Sequence, residues 1–90
     1  MKEALEKYIK QKIVVDTSSS WVYIGVLEEI LAGCLVLSAV DVHDSGETTT
    51  SKERYVLDSK TTGIRANRDR VYINLVYVVS FSPLEDVKYF

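Results

Sequence analysis

The stretch KIVVDTSSSWVYIGVLEEI, residues 12–30, decides the fold. Residues 13–17, IVVDT, are largely β-branched, which suits a pleated, half-buried strand. Ser18, Ser19 and Ser20 supply a polar turn. WVYIGVLEEIL, residues 21–31, then returns as a second strand of aromatic and β-branched residues. Gly25 sits inside it. A glycine within a strand marks a bulge, a sharp bend, or the close approach of another backbone.

Working outward, Ala32 and Gly33 break the run, and CLVLSAVDVH, residues 34–43, resumes it as a third strand. Simple alternation puts Leu35, Leu37, Ala39 and Asp41 on one face and Cys34, Val36, Ser38, Val40 and Val42 on the other. Both faces are largely apolar, as expected of a central strand. Upstream, residues 3–12 are predicted helical. Ala4, Leu5, Tyr8 and Ile9 fall at helical spacing, with Glu3 and Glu6 early and Lys7, Lys10 and Lys12 late, as the helix dipole prefers. So short a helix must dock its apolar face to be stable.

Downstream, residues 44–68 form a long basic connection that opens with an exposed loop, DSGETTT, at 44–50. Ser51 is placed to cap a helix through KERYVLDSK, residues 52–60, ended by Thr62 and Gly63. RYVLD, residues 54–58, is equally compatible with an extended hairpin. Residues 69–82 read as strands four and five, DRVYINL and VYVVSFS, or as one bent strand. Pro83 stops the pattern, leaving 83–90 as a polar tail or a single closing turn. Tyr89 and Phe90 end it as a tail or a short anchor.

Ninety residues at 10.2 kDa make one domain, and 47% hydrophobic with 27% charged residues excludes a disordered chain. Cys34 is the only cysteine, so no internal disulfide or multi-cysteine zinc site is possible. No apolar run reaches the roughly 18 residues of a membrane span, and MKEALEKYIKQKI is too charged for a signal peptide. A cytoplasmic location is expected. One short helix and five strands cannot bury an open sheet's edges in so small a chain. The strands must bend into a small barrel and pair leftover edges with further copies.

Helix, five strands and an early glycine in the second strand resemble the Sm/LSm family, including bacterial and phage Sm-like proteins and Hfq. The resemblance covers residues 3–84. It rests on residues 12–30, where Gly25 and Leu27 fill the family's glycine and leucine places, and on RVYINLVYVVSFSPLEDV, residues 70–87. HDSGETTTSKERYVLDSKTTGIRANRDR, residues 43–70, matches the longer connection of divergent bacterial and phage members. The resemblance implies a mainly β fold, a short N-terminal helix before a strongly bent five-stranded antiparallel Sm-like (SH3-like) barrel. It also implies a cyclic homo-oligomer of five to seven subunits that binds single-stranded RNA. Two departures stand out. The family's uridine-pocket Asp and Asn are replaced by Leu31, Ala32, Gly33 and Cys34, and its Arg-Gly pair by Asn74 and Leu75.

Charge points elsewhere for an anionic partner. Residues 52–70 carry six basic residues against Glu53, Asp58 and Asp69, a balance of +3 in a chain whose net charge is −2. All four arginines lie there, and arginine suits phosphate. The candidate RNA contacts are Lys52, Arg54, Arg65, Asn67, Arg68, Arg70 and Asn74, with Tyr55 and Tyr72 as stacking platforms. The alternative is a solvated segment whose arginines pair with Glu28, Glu29 or Asp69. Val71, Ile73, Leu75, Tyr77, Val79 and Phe81 are the candidate subunit interface.

Other chemistry finds little support. Asp41, His43 and Asp44 lack a second His or Cys to make a metal site. Cys34 and His43 lie nine residues apart on one strand, about 30 Å, too far to act as nucleophile and base. Cys34 reads as a small buried hydrophobe. No P-loop or paired-acid motif is present, so no catalysis, cofactor, metal, membrane or small-molecule substrate is expected. Two functions remain: a ring that binds single-stranded RNA, or an assembly ring that binds a protein partner and has lost the uridine pocket.

Overall fold

The computed structural model describes residues 2–46 and 51–88. Expectations for Glu47, Thr48, Thr49, Thr50, Tyr89 and Phe90 lie outside the described residues. In chain order the elements are α1 (Lys2–Glu6), β1 (Lys12–Thr17), β2 (Trp21–Leu31), β3 (Cys34–Asp44), α2 (Lys52–Thr62), β4 (Arg68–Asn74) and β5 (Val78–Pro83). Three-residue 3-10 turns, Leu75–Tyr77 and Leu84–Asp86, follow β4 and β5. All strand pairs are antiparallel, and the sheet order is β4-β3-β2-β1-β5. The chain is therefore a mainly β, strongly bent five-stranded sheet with a short N-terminal helix.

The bend originates at Gly25. Ile24 pairs with Asp41 and Val26 with Ser38, so one residue of β2 faces two of β3. A Cβ on Gly25 would lie 2.9 Å from the Ser38 carbonyl oxygen and 3.1 Å from Val40 Cγ2, which excludes any side chain there without backbone movement. Ala39 takes up the extra residue in the left-handed region, at φ 49°. The bulge corrects the expected alternation of β3. Val40 joins Leu35 and Leu37 in the interior, Ala39 is exposed, and Asp41 leaves their face. A second bulge at Glu28 follows, between Leu27↔Leu37 and Glu29↔Val36.

Both faces of β1 are covered, which explains its unbroken apolar run. Ile13 and Val15 turn into the barrel with Leu5, Leu27, Leu35, Leu37, Val40 and Ile73. Val14 points the other way, with Val22, Ile24 and Leu84, and this second cluster is roofed by Tyr55, Val56, Ile64 and Val87. The connection between β3 and β4 thus supplies a lid of helix. It is helical because Ser51, extended at φ −67° and ψ 160°, accepts the Arg54 N–H at 3.1 Å, and Gly63 ends it at φ 93°. The hairpin alternative for residues 54–58 is excluded.

Several boundaries differ from the sequence expectation. α1 stops at Glu6 instead of residue 12, because β2 captures the following turn. The Lys10 N–H donates to Leu27 O at 2.6 Å and the Leu27 N–H to Gln11 O at 3.0 Å, with Lys10 at φ 73°. Arg68 belongs to β4, paired with Val40, instead of to the connection. Residues 83–86 are no polar tail. Pro83 pairs with Ile13 and Leu84 enters the second cluster, so the closing-turn reading holds.

Candidate nucleic-acid interface

β4 is built by alternation. Val71 and Ile73 turn toward the barrel interior, while Arg68, Arg70, Tyr72 and Asn74 are exposed at every second position. This row is about 20 Å long at strand spacing. It places two guanidinium groups, a phenol ring and an amide on one face of the strand. Tyr72 is 63% exposed. With Asn74, Tyr77, Tyr23, Thr17 and Ser19 it lines a hollow of about 280 Å³ at the end of β4. Asn74 caps the turn after β4, its Oδ1 accepting the Val76 N–H at 3.0 Å.

The remaining candidates are dispersed. Lys52 Nζ reaches the β1–β2 turn, where it pairs with Asp16 at 2.6 Å and donates to Ser19 O at 2.8 Å and Thr17 O at 3.3 Å. Arg54 pairs with Asp58 one helical turn on, at 3.3 Å. Asn67 is structural: it donates to Val42 O and accepts the Val42 N–H, both at 3.0 Å, and its Nδ2 also reaches Asp41 at 3.2 Å. Arg65 lines a separate cleft beside α2. Arg68 folds back on the Asn67 carbonyl at 2.9 Å. The seven residues form no single patch; only Arg68, Arg70 and Asn74 share the β4 face.

Glu28 tempers this surface. Its carboxylate takes hydrogen bonds from Lys10 and Ser38, with Arg70 adding a smaller attraction, and these hold its pKa below the usual carboxylate range. The arginine–glutamate alternative raised by the sequence is thus present electrostatically, although Arg70 is exposed.

The interface candidates are redistributed as well. Ile73 is buried in the chain's own core. Val71 and Leu75 are half-buried against it, as is Phe81, whose ring meets Tyr8 edge-on at 6.1 Å between centroids. Tyr77 and Val79 are 58% and 62% exposed, and Val76, missed from sequence, is 82% exposed. The 3-10 turn at 75–77 explains the mixture: it breaks the period of two, so residues 71, 73, 75, 77, 79 and 81 never form one face.

The other sequence candidates have local partners. His43 stacks on Tyr55 at 4.0 Å with 10° between the planes. Asp44 accepts Ser20 Oγ and the Gly46 N–H, which lower its pKa. Cys34 is half-buried rather than enclosed. Among the described residues no three His, Cys, Asp or Glu side chains converge as a metal site.

No family model and no curated protein matches the sequence. A solved structure does match: the Sm protein of Pyrococcus abyssii in complex with a uridine heptamer. The likeness covers 91% of this chain and 94% of that one, with a TM-score of 0.63 and 13% sequence identity. The fold of this chain is the Sm fold.

Proposed function

From the Sm fold and its two open edges, we propose that this chain assembles head to tail into a homo-oligomeric ring and binds single-stranded RNA without catalysis. The sheet order carries the reading. β4 and β5 end the sheet on opposite sides, each with one neighbour within the chain. An unpaired edge is a template for another strand. The two edges differ, so pairing β4 of one copy with β5 of the next is heterologous, and such contacts close into rings when the rotation allows. Exposed Val76 and Val79 lie between and on these edges, and assembly would take their apolar surface out of water.

RNA would run along the outer row of β4. Arg68 and Arg70 meet phosphates, and Tyr72 and Tyr77 stack on bases, worth about 1–3 kcal/mol each. The Asn74 amide presents Nδ2 to a base edge. A ring repeats the row on every subunit, so modest contacts gain avidity. The similar Sm protein of Pyrococcus abyssii, seen with a uridine heptamer, supports RNA as the ligand class.

A second reading has its own observation. Leu31 and Val76 are 42% and 82% exposed at the tips of two adjoining turns. An apolar tip there suits a protein partner better than a nucleotide. Titration of labelled oligo(U) decides between the two: salt-sensitive binding supports RNA, and none at low salt leaves the assembly ring.

A further inference from the structure

The two open edges of the sheet carry opposite charges just beyond their strands. Residues 63–67 lead into β4, and Arg65 stands there, three residues before the strand begins at Arg68. Glu85 and Asp86 lie in the turn after β5, two and three residues beyond Pro83. All three side chains are exposed, and among the described residues none of them enters an ion pair within the chain. The acidic turn is braced from within. Leu84 is buried in the second cluster, and the Lys60 ammonium donates to the Glu85 carbonyl at 2.9 Å and to the Val87 carbonyl. The Arg65 segment is braced at Asn67, whose N–H donates to Val40 O at 2.8 Å and whose side chain bonds both backbone groups of Val42.

Antiparallel pairing, the mode of every strand pair in this sheet, relates these charges across a seam between copies. It lays the start of β4 beside the end of β5 of the next copy, so the residues overhanging each strand meet. The other end of the seam brings Asn74 toward Val78, and residues 73–79 carry no charged side chain. We infer that Arg65 of one copy pairs with Glu85 and Asp86 of the next, a polar clasp at one end of every seam. This rests on the homo-oligomeric ring proposed above and adds the side chains that set its direction of pairing. Parallel addition would put Arg65 near Val78 and leave both charges unanswered. An exposed ion pair is weak alone, but a ring repeats it at each seam, and like charges brought together there oppose assembly. Arg68 and Arg70 stay on the outer face of β4.

The test mixes two variants whose defects should cancel. Arg65→Glu sets three carboxylates together at each seam. The double variant Glu85→Arg, Asp86→Arg sets three guanidinium groups together. In light scattering coupled to size exclusion, each alone should need about tenfold more protein than the wild type to assemble. Arg65→Gln, which adds no repulsion, should need about threefold more. Mixed in equal amounts, the two charge-reversed variants should co-assemble near the wild-type concentration, because alternating copies restore opposite charges. A pair within one chain would give no such rescue, and the rescue itself shows that both variants fold. High salt should narrow the gap between the variants and the wild type. A wild type that stays at 10.2 kDa overturns the ring, and the clasp with it. A wild-type ring whose variants assemble as readily as it does, or two defective variants that fail to rescue each other, overturns the clasp alone.

Discussion

The Leu75 N–H donates to the Gly33 carbonyl at 3.0 Å and ties the turn after β4 to the turn between β2 and β3. Cys34 and Asn74 pair directly behind that bond. The resemblance to Sm proteins places a uridine pocket at these two turns. Here the residues that meet are Leu31, Ala32, Gly33, Asn74 and Leu75, and Asn74 brings the one polar side chain among them. The proposed RNA contacts therefore lie further along β4, at Arg68, Arg70 and Tyr72.

Gly25 is the residue the bend depends on. Gly25→Ala should destabilise the fold by about 1–3 kcal/mol, because its Cβ meets backbone on β3 and has no flexible side chain to displace. Urea unfolding should show a lower midpoint at unchanged slope.

Ser51→Ala removes the cap of α2 and should cost about 1 kcal/mol. Because α2 roofs the cluster of Val14, Val22 and Ile24, amide exchange in residues 52–62 should accelerate more than in β2 and β3.

Much of this architecture was legible in residues 12–43, because β-branched runs, a serine turn and two glycines all favour the same strand–turn–strand order. The end of α1 was not. Helical spacing continues to residue 12, but two long-range hydrogen bonds to Leu27 outweigh it, and local pattern carries no sign of them. The candidate site was only partly legible. Charge and the family pattern single out Arg68, Arg70 and Asn74, and the alternation of residues 68–74 holds the signal for grouping them with Tyr72. The bulge at Ala39 was hidden, since it arises from register with Gly25.

Edge pairing predicts that Val79→Lys disrupts assembly. A lysine on an edge strand opposes strand addition, and Val79 is exposed in the single chain, so the fold itself should survive. Light scattering coupled to size exclusion should give a multiple of 10.2 kDa for the wild type and a lower mass for the variant.

Acid should weaken the fold through Glu28 and Asp44. Both carboxyls have folded pKa values below their unfolded ones, Glu28 through Lys10 and Ser38, Asp44 through Ser20 and the Gly46 N–H. The unfolded chain therefore binds protons first. Their contribution is present at neutral pH and is lost as pH falls below about 4. Thermal unfolding of the double variant Glu28→Gln, Asp44→Asn should show a shallower decline in that range than the wild type.

RNA binding along β4 is tested by fluorescence anisotropy of labelled oligo(U), titrated at several salt concentrations with the wild type and with Arg68→Ala, Arg70→Ala. Binding by the wild type should saturate and weaken with salt. The double variant should bind less tightly, with a slope of log affinity on log salt smaller by about 1.4, the loss of two single-strand phosphate contacts. Unchanged affinity and slope in the variant, or no binding by the wild type at low salt, would contradict it.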